Sequence, residues 1–434
     1  MSNQRNVPRR WIQPDAIEEA LRAGRPRRAD PGSTPVSGMR PPARAASPAP
    51  VDGPILPPAT IGILGGGQLG RMLGLAAREL GYRVVVLDPD RQCPAAAVAD
   101  RVEVGSYEDA VAARRLARSA DIVTYELEHV ALAVVDAVAA DGVPVRPGRL
   151  SLKVTQDRLE ERRFLESIGA PVAPYRVVTD QASLINAAFQ LDLPLRLKAP
   201  TGGYDGRDQV RIAEVGELGN AIERLGRPTG TRLLLEKELP FDCELSVVVA
   251  RDLDRSVAAY PPARNRHDDG ILAESVAPAP IREGVVARAQ DLAIRIAEGL
   301  DAIGVVTVEL FLLPDGSLVV NELAPRVHNS GHWTIEAAVT SQFEQHVRAI
   351  CGLPLGSPAL RGAAATVNLL GTGRRRAARL RGVPDALRVT DVHLHLYDKR
   401  EVFERRKMGH VTALGASPMD ALETARLAAS LVRL

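Results

Sequence analysis

Three short apolar strands, each running into a turn of polar or glycine residues, constrain this chain more than any other feature. Thr60–Leu64 reads as a buried strand, followed by the turn Gly65-Gly66-Gly67-Gln68-Leu69-Gly70 and a helix over Arg71–Leu80. Val84–Leu87 is a second strand and ends in Asp88; Ile122–Tyr125 is a third and ends in Glu126 and Glu128. Strands alternating with helices predict a parallel sheet. Ligand-binding groups in such a sheet collect beyond the carboxyl ends of the strands. Gly67, Asp88 and Glu126 all fall there.

The rest of the chain is too long for one such unit. Its 434 residues suggest two to four domains, and 45% apolar residues suffice for a core in each. A net charge of +2 excludes a globally basic nucleic-acid protein. No apolar run reaches the roughly 18 residues of a membrane span, and Met1 to Asp15 lack the apolar stretch of a secretory signal. Cys93, Cys243 and Cys351 are far apart with no CxxC pair, which points to a reducing cytoplasm. Residues 1–58, rich in Pro, Arg and Ala, read as a disordered extension. Only five of the 55 basic residues are lysine: Lys153, Lys198, Lys237, Lys399 and Lys407. Where arginine serves as the general cation, a lysine marks a place where a compact point charge matters.

Further along, 151–168 reads as one charged amphipathic helix and Pro194–Ala199 as a strand carrying Lys198. Arg232–Glu236, Glu244–Arg251 and Ser256–Tyr260 read as strands, Gly284–Gly299 as a helix, and 334–351 as another. The tail from 363 alternates like short strands and ends in a helix from about 418.

A hairpin carries the sharpest chemical signal. Val305–Leu312 and Leu318–Leu323 flank Pro314-Asp315-Gly316-Ser317, and Asp-Gly favours a two-residue turn. That turn sets Glu309 opposite Glu322. Facing like charges are destabilising, and a hard cation offsets them. A second signal is Lys198 ahead of Gly202-Gly203-Tyr204-Asp205-Gly206, a lysine and glycine loop suited to a polyphosphate but not a Walker loop. The third is Gly65-x-Gly67-x-x-Gly70 with Asp88, a weak dinucleotide fingerprint. The fourth is the donor-dense run Asn321 to His332, in which Arg326 can neutralise an oxyanion. Zinc on His328 and His332 would need a helix that Asn-Ser-Gly disfavours. Last, His393, His395, Tyr397 and Lys399 alternate on one strand face, followed by Arg405, Arg406 and Lys407, a basic cluster able to hold a phosphate monoester.

Together these segments resemble the N5-carboxyaminoimidazole ribonucleotide synthase family, the PurK-type ATP-grasp ligases. The resemblance lies in residues 63–72 (Ile-Leu-Gly-Gly-Gly-Gln-Leu-Gly-Arg-Met), 124–130, 156–158, 202–207, 321–332, 340–346 and 406–410, and spans about 59–434. It implies an α/β fold of three parts: an open parallel-sheet domain at 59–150, a two-lobed α+β ATP-grasp domain at 151–362 (lobes about 151–230 and 231–362), and a small β-rich C-terminal domain at 363–434. It implies that ATP and bicarbonate carboxylate 5-aminoimidazole ribonucleotide through carboxyphosphate, giving N5-carboxyaminoimidazole ribonucleotide, ADP and phosphate in purine biosynthesis.

The resemblance also implies roles. ATP would meet Arg158, Lys198, Gly203, Tyr204, Asp205, Gly206, Arg207, Asp208, Gln209, Glu236, Lys237, Glu238, Leu239, Glu244, His267, Asn321 and Glu322. Magnesium, or manganese in its place, would sit between Glu309 and Glu322. The ribonucleotide would meet Gln68, Glu126, Tyr204, Asp205 and Arg207, with its phosphate near Lys399, Arg406 and Lys407. Arg326, His328, Asn329 and Ser330 would handle bicarbonate, with Asp205 and Arg207 joining the catalytic set. A cytoplasmic homodimer without biotin, nucleic acid or membrane is implied.

One position departs from the family loop: Asp208 stands where a glycine is expected. Aspartate can adopt left-handed backbone at some cost, and it places negative charge near a triphosphate. Three other readings remain at this level: another ATP-grasp ligase, a catalytically impaired homologue, and an NAD-dependent oxidoreductase built on the 65–70 turn.

Overall fold

The computed structural model describes residues 53–202, 208–228 and 230–434. Most of the expected extension at 1–58 and the loop residues Gly203, Tyr204, Asp205, Gly206 and Arg207 lie outside the described residues.

The first domain is the parallel sheet. Strands β1 (Thr60–Leu64), β2 (Arg83–Asp88), β3 (Arg101–Val104) and β4 (Ile122–Tyr125) order as β3-β2-β1-β4, all parallel. The helix after β1 starts at Gln68, earlier than the turn signal suggests. Gly70 therefore lies inside the helix, where an added Cβ would stand 2.5 Å from the Gly65 carbonyl oxygen.

Residues 151–168 do not form one helix. Helices Arg149–Gln156 and Arg158–Ser167 break at Asp157, which is extended and caps the second by accepting from Leu159 N–H at 2.8 Å. The break turns Glu161 and Arg162 into the interior, and both are buried. The following lobe is an antiparallel sheet of β5 (Tyr175–Val178), β6 (Leu195–Lys198), β7 (Gln209–Ile212) and β8 (Leu233–Lys237), ordered β5-β8-β6-β7. Its core packs the helix Gln181–Leu191 on one face, through Leu184, Ala187 and Leu191.

The second lobe is built on a nine-stranded sheet. It comprises β9 (Cys243–Arg251), β10 (Val257–Ala259), β11 (Ala263–Asp268), β12 (Ile271–Ala277), β13 (Gly304–Leu312) and β14 (Leu318–Ala324). It continues through β15 (Ala363–Leu370), β17 (Val392–Leu396) and β19 (Lys407–Gly415), while β16 (Arg376–Ala377) pairs separately with β18 (Glu401–Val402). Helix Glu283–Gly299 buries Val285, Ala289, Leu292 and Ile296 against β9 and β13. β11 and β12, invisible to the strand reading of the sequence, carry His267 and line the cleft beside β9. The expected helix at 334–351 is two, Thr334–Ala337 and Gln342–Cys351.

The hairpin places Glu309 opposite Glu322, but not by the expected turn. Leu313 N–H bonds Ser317 O and Leu312 pairs with Leu318, so the loop has three residues with Gly316 at φ +82°. That register alone would miss the pairing by one. An irregularity between Glu309 and Leu310, with Asn321 as the extra residue on β14, restores it.

Candidate active site

A cleft of about 1170 Å³ opens between the two lobes and the parallel-sheet domain. Of the described residues expected in the site, all but Ser330 and Asp208 line it.

One wall is a closed ionic cluster. Arg162 Nε donates to Glu236 Oε1 at 2.6 Å, Nη1 to Glu161 Oε1 at 2.8 Å, and Nη2 to the Asn321 carbonyl at 2.7 Å. Lys198 Nζ donates to Glu236 Oε2 at 2.5 Å, and Glu161 Oε2 accepts from Leu323 N–H. Arg162 and Glu236 are nearly inaccessible. Burial opposes ionisation of Glu236, but Arg162 and Lys198 outweigh it and hold the pKa at about 2. Burial also lowers the Lys198 pKa, while Glu236 favours its charge. Just beyond, Lys237 Nζ reaches the Asp192 and Leu193 carbonyls, and Glu238 pairs with Arg211. Those two side chains point away, so this strand end meets the cleft through its backbone. Phe241 and Phe311 stack at 4.6 Å nearby.

Next to this cluster stands a carboxylate pair with no hydrogen-bonded cation among the described residues, on which Arg162, Arg326 and Lys407 act only through space. Glu309, partly buried, faces Glu322, which is exposed to the cleft. Burial first, then Glu322 and Glu244, push the Glu309 pKa up to about 7 against the opposing pull of His267. His267 Nδ1 lies 2.5 Å from Glu244 Oε2; burial disfavours the imidazolium, but that bond and the charge of Glu309 win and raise its pKa. Among the described residues, no group of three or more His, Cys, Asp or Glu is placed to hold a metal by itself. Two facing carboxylates suit a cation that takes its other ligands from phosphate oxygens and water.

The loop after β14 forms the floor. Arg326 Nη2 donates to Glu128 Oε2 at 2.9 Å and forms an ion pair with Oε1 at 2.7 Å, and its Nε has no partner among the described residues. Its charge is secured: burial opposes it, but Glu128 and Glu126 more than compensate. His328 Nδ1 accepts from Ser330 N–H, leaving Nε2 to carry its proton 3.6 Å from Glu309 Oε1. Burial keeps that ring neutral. Ser330, expected to touch bicarbonate, is instead fully buried and supports His328.

At the parallel-sheet edge, Glu126 accepts from Gly67 N–H and Gly70 N–H, both at 2.6 Å. Asp88 is taken up by Gly66 N–H, the Tyr107 hydroxyl and Asp90 N–H. The donors a dinucleotide pyrophosphate needs and the carboxylate its ribose needs are thus occupied by the protein itself, which removes the oxidoreductase reading. On the far side Lys399, Arg406 and Lys407 line the cleft, with Arg406 over Phe403 at 5.0 Å. Arg405 reaches the Asp268 and Asp269 carbonyls. Of the alternating face, Lys399 alone lines the cleft; Tyr397 is buried on His410, and His395 bonds Glu336.

Asp208 has φ +56°, the left-handed backbone that an aspartate can take at some cost. Its charge is not aimed at the cleft, because Oδ1 pairs with Arg227 at 2.9 Å.

Glu161 and Arg162 were missed from sequence, and Glu128 was seen at its strand end without a role. The break at Asp157 was the available signal for Glu161 and Arg162, since an N-cap residue inside a charged run re-phases the helix behind it.

Three family models match in chain order: the ribonucleotide synthetase preATP-grasp domain over residues 58–156, the ATP-grasp domain over 163–343, and the phosphoribosylaminoimidazole carboxylase C-terminal domain over 364–424. The chain is 41% identical over 360 residues to the N5-carboxyaminoimidazole ribonucleotide synthase of Bacillus subtilis, covering 82% of this chain and 92% of that protein. It is 42% identical to that of Brucella melitensis, covering 82% and 97%. A crystal structure of an N5-carboxyaminoimidazole ribonucleotide synthetase with ADP superposes with a TM-score of 0.81 at 41% identity, over 87% of this chain and 98% of that one. The Aspergillus clavatus synthase bound to ADP and 5-aminoimidazole ribonucleotide gives 0.77 at 31% identity, over 86% and 98%. With all three domains matched and identity above 40% across most of its length, the chain belongs to the N5-carboxyaminoimidazole ribonucleotide synthase family of ATP-grasp ligases.

Proposed function

We propose that the cleft carries out ATP-dependent carboxylation of 5-aminoimidazole ribonucleotide to N5-carboxyaminoimidazole ribonucleotide, for purine biosynthesis, with the following division of labour. Lys198, held by Glu236, and Arg158 take the phosphates of ATP with the loop at 203–209. Glu236, Lys237, Glu238 and Leu239 form the strand end that receives the base, Lys237 and Glu238 through main chain. Glu244 takes the ribose, beside His267 and Asn321. Glu309 and Glu322 would hold magnesium, which would supply charge neutralisation to the phosphates when bound.

Arg326, His328 and Asn329 hold bicarbonate. Its oxygen attacks the terminal phosphorus, ADP leaves, and Arg326 faces the charge of the resulting carboxyphosphate. Collapse gives carbon dioxide and phosphate. The exocyclic amine of the ribonucleotide attacks that carbon, and its proton passes to the phosphate just released. Gln68 and Glu126 hold the ribonucleotide, and Lys399, Arg406 and Lys407 hold its phosphate. A cytoplasmic homodimer belongs to the same reading.

The observation that carries this reading is the pair Glu309 and Glu322, facing across one cleft from Lys198 and bounded by the Arg326 to Asn329 loop. Phosphate release is measured with ATP, the ribonucleotide and bicarbonate, each omitted in turn. Release that needs the ribonucleotide and rises with bicarbonate supports the reading; release indifferent to both refutes it.

A further inference from the structure

We propose that His332 is a positioning residue that fixes which way round the Asn329 amide sits, so that Asn329 offers an N–H donor to the anion in the cleft. The inference rests on the reading that Asn329 meets bicarbonate.

The chain of reasoning starts from a donor whose polarity is not in doubt, a backbone amide. His328 N–H donates to Gln342 Oε1 at 3.0 Å, and the His328 carbonyl accepts from Gln342 Nε2 at 2.7 Å. The two main-chain groups admit only one orientation of the Gln342 amide. Gln342 Nε2 also faces His332 Nδ1 at 3.4 Å, so that nitrogen accepts. Burial holds His332 neutral, and its single proton is therefore on Nε2. His332 Nε2–H lies 3.0 Å from Asn329 Oδ1 and donates to it. Asn329 Oδ1 is consumed inside the protein. Its Nδ2 has no partner among the described residues and is not sealed from solvent, and Asn329 lines the cleft.

The opposite arrangement would present a carbonyl oxygen to bicarbonate, which repels it. The relay is held rigidly enough to prevent that flip. His332 is fully buried and stacks on His410 at 4.6 Å and beside Phe343 at 5.7 Å. Gln342 is equally confined: a Cβ at Gly331 would stand 2.6 Å from its Oε1. Thr334 Oγ accepts from Gln342 N–H at 3.0 Å and fixes the start of that helix against the loop. Neither His332 nor Gln342 lines the cleft. Their effect on the anion passes through Asn329.

The test reads the tautomer directly. Full-length protein labelled with 15N-histidine is examined by NMR, with His332 assigned through its backbone connectivity. The expected result is a neutral ring protonated on Nε2; a proton on Nδ1 overturns the proposal. Gln342→Glu then reverses one link, because a carboxylate still accepts from His328 N–H but can no longer donate to His332 Nδ1. That carboxylate also favours the doubly protonated ring, so the variant is read above the pH at which the same NMR experiment shows the ring neutral, where we expect His332 to carry its proton on Nδ1. The bicarbonate KM then rises about 10-fold or more while the ATP KM stays within about twofold. A folded variant with an unchanged bicarbonate KM, or with both KM values raised alike, overturns the proposal. If the variant does not fold, the wild-type tautomer decides. Wild-type protein is assayed first: turnover that ignores bicarbonate refutes the functional reading and leaves the tautomer measurement standing.

Discussion

The two walls of the cleft hold carboxylates in opposite circumstances. On one, Glu236 sits between Arg162 and Lys198, with every charge matched and hydrogen-bonded. On the other, Glu309 faces Glu322 with Glu244 close by; His267 and Lys407 act on Glu309, and Arg162 and Arg326 on Glu322, only through space. The first arrangement is complete in the protein alone and works as a structural joint between the helix at 158–167, β6, β8 and β14. The second has no hydrogen-bonded cation among the described residues, which leaves room for a bound one. A buried charge that the fold satisfies supports structure; one that the fold leaves unsatisfied marks where a ligand goes.

The contrast is broken most severely at the closed wall. Glu236→Gln strands Arg162 and Lys198 with less charge than they need in a buried place. It should cost about 3–5 kcal/mol of stability, measured by denaturant unfolding. The effect depends on pH in a fixed direction. Glu236 has its pKa lowered from 4.5 to about 2, so its stabilisation is full above pH 4.5 and lost as pH falls through 2. The gap between wild type and variant should shrink across that window, because protonated glutamic acid resembles glutamine.

At the open wall the same substitution should act in reverse. Glu309→Gln should lower kcat by about 10²–10³-fold, the scale of losing one electrostatic partner of a transition state. Yet it should raise the melting temperature of the metal-free protein, by about 0.5–2 kcal/mol in stability, because it removes a facing charge. A fall in both activity and metal-free stability would put Glu309 in the same class as Glu236 and erase the distinction.

Asp208→Gly is the smallest effect. Glycine relieves a left-handed backbone worth about 1–2 kcal/mol, and loses a half-exposed pair with Arg227 worth about 0–1 kcal/mol. Stability should rise by at most about 1 kcal/mol, and the ATP KM should fall less than about 10-fold. An unchanged KM and turnover would mean that Asp208 has no bearing on ATP binding or catalysis.

The two walls also differ in how far the sequence revealed them. Glu309 and Glu322 could be paired by alternation and a turn motif, because a strand places its side chains by simple period. The pairing was right although the loop is one residue longer than a two-residue turn, since the irregularity at Asn321 compensates. Arg162 could not be found that way. Its burial depends on where a helix breaks, and Asp157 read as one more charge in a charged run. Likewise β11 escaped notice because Ala263–Asp268 reads as polar, although Asn265 is buried and pairs with both β9 and β12; nothing in its composition explains why the apolar β12 did. The glycine turn suggested a dinucleotide until the partners of Glu126 and Asp88 were known. Local pattern gives strands and turns; which charges are satisfied is a property of tertiary structure.

The most direct test of that distinction is Mn²⁺ binding followed by electron paramagnetic resonance in the presence of ADP. The wild-type protein should bind the ion, and Glu309→Gln and Glu322→Gln should each weaken it by about 10-fold or more, while Asp208→Gly leaves it intact. Wild-type affinity in Glu309→Gln would show that the facing glutamates are not the cation site and would contradict the account.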